Sequence, residues 1–243
     1  MNLRIWSDVL KNLTDYPQLY RYLSDMKLIP SGTFRMGASP SQGIPGVETK
    51  VSAFRIGVTP VSWAIWKEYC EATSSLLPDD PGWGYPDDHP AVNVSWMDIM
   101  KSGGFCEWAS NLAGYDVSLP TEPEWEYAAR GGKDGFDYPW GNKFELSKLW
   151  CSETRGDGDP GTTASINRKD RIFSNGYGLT DMVGNVCQWC CEKHVSNLTR
   201  HYRVARGGSL YSFFNPESFR CASRDRNYVD DCNDISGFRL CSK

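Results

Sequence analysis

RVARGGSLYSFFNPESFRCASRDRNYVDDCNDISGFRLCSK, residues 203–243, is the stretch on which the reading of the fold depends. Two glycine-bearing frames, Arg206-Gly207-Gly208-Ser209 and Gly237-Phe238-Arg239-Leu240, enclose a run of different character. Within it Tyr211, Phe213, Phe214, Phe219 and Tyr228 sit among Ser212, Asn215, Ser218, Ser223, Asp225, Asn227, Asp231, Asn233 and Asp234. Aromatic rings give rigid contact area at low entropic cost, and short polar side chains adapt their hydrogen bonds. The mixture therefore suits a wet contact surface better than a core.

Upstream of this stretch, short elements alternate with turns. Thr121 reads as a helix cap, with Glu124 completing a capping box, Pro123 in the first turn, a helix over 122–129 and Gly131-Gly132 ending it. Ser95 opens a further helix with a weak point at Ser102-Gly103-Gly104 before Phe105 resumes it. Thr59-Pro60 marks the start of another, with Trp63, Trp66, Tyr69 and Cys70 on its apolar side. Residues 29–37 and 51–58 alternate in the manner of strands and predict an antiparallel pair around a Gly/Pro/Ser-rich loop. Residues 76–92, with four prolines and four aspartates, read as a surface loop, as does Asp157-Gly158-Asp159.

At the N-terminus, Ile5, Val9, Leu10, Leu13 and Tyr16 recur at helical spacing, and Leu19, Tyr20, Leu23 and Met26 resume it after Pro17. Two short helices broken at Pro17 follow, because proline disfavours helical geometry at the residue before it. Residues 1–28 are thus expected as a helical extension packed on a domain spanning 29–243.

The chain of 243 residues carries a net charge of −4 and a pI near 5.5 without any Lys/Arg-rich run, which argues against a nucleic-acid partner. Its first residues are charged throughout, and no apolar run is long enough to span a bilayer, so no membrane insertion is expected. Absence of a secretory signal points to the cytoplasm, with a phage particle or the cell surface as other destinations. Nine cysteines read as reduced thiols filling core gaps. Cys187-x-x-Cys190-Cys191 is the one cluster with metal-like spacing, and it lacks the second paired element that a structural zinc site needs.

Seven motifs in order, GTFRMG, PAVNVSW, LPTEPEWEYAARGG, YPWGN, NGYGLTDMVGNVCQW, RGGS and GFRL, resemble the formylglycine-generating enzyme family from Ile29 to Leu240. The resemblance implies an α+β chain with a variant of the C-type lectin fold and much irregular loop structure. Catalytic members of that family use two cysteines between the GGS and GFR motifs to bind copper and oxidise a substrate cysteine, since soft Cu(I) takes thiolates. Here those positions fall on Ser212 and near Glu217, so the copper chemistry is not expected. His89, His194 and His201 are too few and poorly spaced for the iron triad of relatives resembling the ergothioneine-pathway enzymes.

The same segment also looks like the variable proteins of diversity-generating retroelements, in which adenines of template Asn codons are randomised. Such codons cannot yield Lys, Glu, Gln, Met or Trp. Those types make up 39 of residues 1–209, which predicts about five among residues 210–236 at the chain's own composition. Only Glu217 occurs there. By this resemblance Tyr211, Ser212, Phe213, Phe214, Ser218, Ser223, Asp225, Asn227, Tyr228, Asp231, Asn233 and Asp234 are the contact residues of a variable region over about 207–240. Gly207, Gly208, Arg220, Arg224, Gly237, Phe238 and Arg239 are its scaffold. The expected function is non-enzymatic binding of a protein or other macromolecular ligand, with no required cofactor.

Two further readings stand beside it: an enzyme on the same fold whose chemistry has moved to Cys187, Cys190 or Cys191, and an interaction module that regulates a partner without diversification. NGYGLTDMVGNVCQW resembles a calcium-binding segment of the family, with Asp181, Gln188 and the carbonyls of Gly184 and Val186 as oxygen ligands. Gln188 stands where the family usually has Glu. Glu122, Glu124 and Glu126 lie where a helix N-terminus attracts acids, which favours a structural role over acid/base chemistry.

Overall fold

The structure, a computed structural model, describes residues 13–154, 162–168, 173–193, 202–212 and 215–243. Ile5, Val9, Leu10, Asp157-Gly158-Asp159, His194, His201, Phe213 and Phe214 lie outside them.

Pro17 falls at the first position of helix α1, Pro17–Asp25, with Tyr16 as its cap, so the predicted break is where proline geometry puts it. Leu19, Tyr22, Leu23 and Met26 are buried, and the Tyr22 hydroxyl donates to Thr59 O and accepts from Leu240 N. One side chain of the N-terminal segment thus ties two distant stretches of the chain together.

The two predicted strand runs do pair, but each is divided. Strand β1, Lys27–Ile29, pairs with β4, Phe54–Ile56, while β2, Gly32–Met36, pairs with β3, Val47–Val51. Pro30-Ser31 interrupts the first run, and proline cannot continue a ladder. Val47–Lys50, expected as loop, is strand. Only the tip between, with a short 3-10 helix at Pro40–Gln42 and positive φ at Gly43 and Gly46, is a turn.

Helix α2 spans Trp63–Thr73 and is capped by Ser62, three residues later than Thr59-Pro60 suggests. The reason is tertiary: Val61 N donates to Phe238 O, and Val61 O accepts from Ala91 N, so residues 59–61 serve as a bridge rather than a helical turn. Trp96–Met100 (α3) and Phe105–Ala113 (α4) are separate helices divided at Gly103, where φ is +75°. Helix α5, Glu122–Ala129, carries the predicted capping box, Glu124 N to Thr121 Oγ1 at 3.2 Å and Thr121 N to Glu124 Oε2 at 2.8 Å. Its far end is capped by Asn175, whose Nδ2 donates to Ala128 O and Ala129 O.

Strands β5 (Val117–Ser118) and β10 (Cys241–Ser242) complete a sheet of order β1-β4-β10-β5, so the last residues lie inside a sheet that begins at residue 27. A second sheet, of order β8-β7-β6-β9, is built from β6 (Cys187–Lys193), β7 (Tyr202–Arg206), β8 (Arg224–Tyr228) and β9 (Ser236–Gly237). Phe238 packs its ring 5.2 Å from Phe105 and 5.8 Å from Trp66, both edge-on, which locks the end of the C-terminal segment to the helices.

Candidate functional site

The C-terminal segment is held by glycines below and arginines behind. At Gly207, φ is +95° and an added Cβ would sit 2.6 Å from Met182 O; at Gly208, φ is +63° and the same atom would meet Phe219 and Ser218 O at 3.0 Å. No other residue fits there without shifting backbone. Arg206 Nη2 reaches Glu122 Oε1 at 2.5 Å and Glu126 Oε2 at 3.1 Å, while its Nη1 donates to Cys221 O and Ser223 O. Arg130 holds the other oxygen of Glu126 at 2.6 Å. Glu122 and Glu126 are therefore buried counter-ions for the frame, and Glu124 caps its helix and pairs with Lys243. None of the three faces a free reactive group.

Of the twelve predicted contact residues, ten are described, and none of the ten is buried. Ser212, Ser218, Ser223, Asp225, Asn227 and Asn233 line one cleft of about 370 Å³. Tyr211 is 44 % exposed beside it. Tyr228 stacks on Tyr202 with centroids 4.3 Å apart, and its backbone N–H donates to Asp231 Oδ2. Asp234 is half-buried and does not line the cleft.

Sequence reasoning missed several cleft residues. Asn215, Ser209, Ile235 and Ser236 line it, as does Arg224, expected only as scaffold. Arg224 serves both purposes: its side chain is 45 % exposed, yet its guanidinium pairs with Glu122. In the other direction, Phe219 is wholly buried, stacked on Phe144. It belongs to the core and not to the contact mixture.

The sulfatase-modifying factor enzyme 1-like domain matches residues 14–243, nearly the whole chain. The chain belongs to that family. A bovine relative described as inactive C-alpha-formylglycine-generating enzyme 2 is 33% identical over 192 residues, covering 75% of this chain and 58% of its own length. The formylglycine-generating enzyme of Mus musculus is 32% identical over 207 residues, covering 74% of this chain and 49% of its own length. This chain thus spans about half the length of the curated relatives it matches. Among solved structures, Treponema denticola variable protein 1 superposes with a TM-score of 0.69 at 22% identity, covering 89% of this chain and 94% of that one. The fold is the C-type lectin-like fold of this family.

Ser212 and Glu217, the residues expected at the family's copper positions, carry oxygen and no sulfur. Ser212 Oγ accepts from Ser209 N at 3.0 Å, and Glu217 is held by Arg220 at 3.1 Å. Cys187 lines the cleft, but burial pushes its thiol up to about 12, far from the thiolate that a nucleophile or soft metal needs. Burial does the same to Cys221. Cys190 is buried and Cys191 half-buried. Among the described residues no three His, Cys, Asp or Glu side chains are grouped to hold a metal. His89, the described histidine, has Nδ1 3.0 Å from Thr163 Oγ1.

In the segment expected to hold calcium, a buried cation of the chain shares one of the expected ligands, Gln188 Oε1. Arg239 is wholly buried and donates to Gln188 Oε1 at 2.6 Å and to the carbonyls of Gly57, Val58, Thr180 and Asp181. Gln188 Nε2 also donates to Asp181 O at 2.6 Å, and Trp125 Nε1 takes a share of Gln188 Oε1. Arg168 and Asn185 occupy the Asp181 carboxylate. Gly184 N and Val186 lie in the same buried turn. As placed, these residues do not fit calcium: the Asp181 carboxylate and Gln188 Oε1 already accept from N–H donors, and the amide of Gln188 brings no charge.

Proposed function

We propose that this member of the family is a non-enzymatic ligand-binding protein that presents its C-terminal segment as a replaceable contact surface. The observation that carries this reading is the segregation within residues 207–240. Gly207, Ser209, Leu210, Phe219, Cys221 and residues 236–240 are buried, whereas the ten described contact candidates are all at least partly exposed. Apart from Tyr228 on Tyr202, substitutions on the exposed set remove no core side chain, so the surface can change while the frame does not.

The cleft offers hydroxyls, amides, Arg224 and Asp225, with little apolar area, a composition that suits hydrogen bonding to a protein or other macromolecular ligand better than enclosure of an apolar small molecule. Ser212 and Glu217 supply no soft donors for copper. That one similar protein carries the description "inactive" agrees with this reading. No described helix is long and apolar enough to cross a membrane.

Copper titration of the purified chain, together with oxygen uptake in the presence of a cysteine-containing peptide, tests the absence of oxidase chemistry. Neither stoichiometric copper binding nor oxygen uptake is expected, and finding both sinks the binding-only reading. Diversification is tested in the genome: a near-copy of the codons for Leu210 to Ser236, differing at adenines and beside a reverse transcriptase, is expected. Without it the protein is a fixed binding module.

A further inference from the structure

Glu217 stands apart in the C-terminal segment, as the sole Lys, Glu, Gln, Met or Trp between residues 210 and 236. Its position is set by the 3-10 helix Pro216–Phe219, whose cap Asn215 accepts from Glu217 N through Oδ1. From there Glu217 Oε1 accepts from Gln42 Nε2 and from Arg220 Nη1, each at 3.1 Å. Gln42 belongs to the tip of the β2–β3 hairpin, 175 residues away in sequence.

This bridge crosses a second groove, of about 280 Å³, between the hairpin tip and the C-terminal segment. Gln42 and Ile44 form one wall and Arg220 and Ala222 lie opposite. Asn215, Ser218 and Ser223 line both this groove and the contact cleft, so the two are continuous. Its polar lining is made of hydroxyls, two amides, the Glu217 carboxylate and the edge of the Arg220 guanidinium. Arg220, whose side chain is only 13% exposed, turns Nη1 to Glu217, while its Nε is buried away from the groove and its guanidinium also bonds the Tyr138 side chain. Asn215 has spent its carbonyl on Glu217 N and keeps an amide donor. The one carboxylate present is Glu217 itself, 56% exposed and held at one oxygen. With its carboxylate end exposed, the pair is screened by solvent, and an incoming anion can replace Glu217 in it.

We propose that this second groove is a carboxylate subsite adjoining the contact cleft, in which an acidic side chain of a polypeptide ligand takes the place of Glu217 on Arg220. Gln42 and Ile44, which lie outside the C-terminal segment, supply an unchanging wall, so part of the recognition stays constant whatever the cleft residues are. Arginine suits this role because its planar fork matches a carboxylate. The proposal rests on the binding reading above and adds to it a fixed preference for acidic peptide.

The test pans a phage library of random peptides against the whole chain and measures the affinity of enriched peptides by fluorescence anisotropy. Enriched sequences are expected to carry Asp or Glu. Arg220→Met weakens them about tenfold, about 1.4 kcal/mol, and Gln42→Ala changes affinity without changing the melting temperature. Glu217→Gln tightens them about threefold, because it releases the guanidinium. A purely structural Glu217 would weaken binding or leave it unchanged in that variant. Should Arg220→Met fail to fold, Glu217→Gln and an Asp-to-Asn change in the peptide still decide the matter. Peptides that depend on Asn227 and Asp225 but not on Arg220, Gln42 or Glu217 overturn the subsite and leave the contact cleft standing. Failure to enrich any peptide overturns the polypeptide occupant itself.

Discussion

Arg206 Nη2 lies 2.5 Å from Glu122 Oε1, joining the strand that enters the glycine frame to the first residue of helix α5. Both side chains are buried, and Glu126 and Arg130 extend the pairing. A motif near the middle of the chain and a motif near its end thus form one ionic lattice beneath the contact cleft.

Removing one member leaves an uncompensated charge. Arg206→Met is expected to cost about 3–5 kcal/mol, since Glu122 and Glu126 lose a partner without regaining water. Urea denaturation measures it. Adding Glu122→Gln to the same chain recovers part of the loss, and a shift below about 1 kcal/mol in the single variant refutes the lattice as a stabilising element.

The surface and the frame should respond differently to substitution. Asp225→Tyr, Asn227→Tyr and Asn233→Ser are expected to change stability by less than about 0.5 kcal/mol each, as exposed or half-exposed sites do. Phe219→Ala, in the same segment but wholly buried against Phe144, should cost about 3–5 kcal/mol. Thermal unfolding of the four variants separates them; equal losses at Phe219 and Asn227 contradict the division of roles.

Alkaline pH should unfold the protein through its thiols. Burial raises Cys106, Cys187 and Cys221 to about 12, whereas a thiol in the unfolded chain titrates near about 8.5. A raised folded-state value means that the stability is fully present below about pH 8.5 and is lost as pH climbs toward 12. Each thiol then contributes a loss of about 1.4 kcal/mol per pH unit. Urea midpoints between pH 7 and 10.5 provide the slope, and Cys187→Ala with Cys221→Ala should flatten it. In the native state at neutral pH a thiol reagent should label the exposed Cys232 first.

Calcium should leave the protein unchanged. With Arg239 seated among Gln188 Oε1 and four carbonyls, addition of calcium or of a chelator is expected to move the melting temperature by no more than about 1 °C. A calcium-dependent rise of several degrees would show that Arg239 yields the site to the ion.

Local signals were legible because their causes are local. The capping box of Thr121 and Glu124 and the break at Pro17 each follow from the conformational demands of a few neighbouring residues. The start of α2 was not, because Val61 is taken by Phe238 from the far end of the chain. Strand Val47–Val51 was hidden for a similar reason: a short exposed strand shows itself through its partner, Gly32–Met36.

For the site, the absence of thiols at Ser212 and Glu217 and the residue types that crowd the C-terminal segment were already plain from the residues in order. Both follow from side-chain chemistry at known positions. That Phe219 faces the core while Ser218 lines the cleft, that Arg239 takes Gln188 Oε1, and that Gln42 meets Glu217 became visible in three dimensions. Those outcomes depend on which distant groups compete for the same donors and the same space, and that competition is settled when the chain closes on itself.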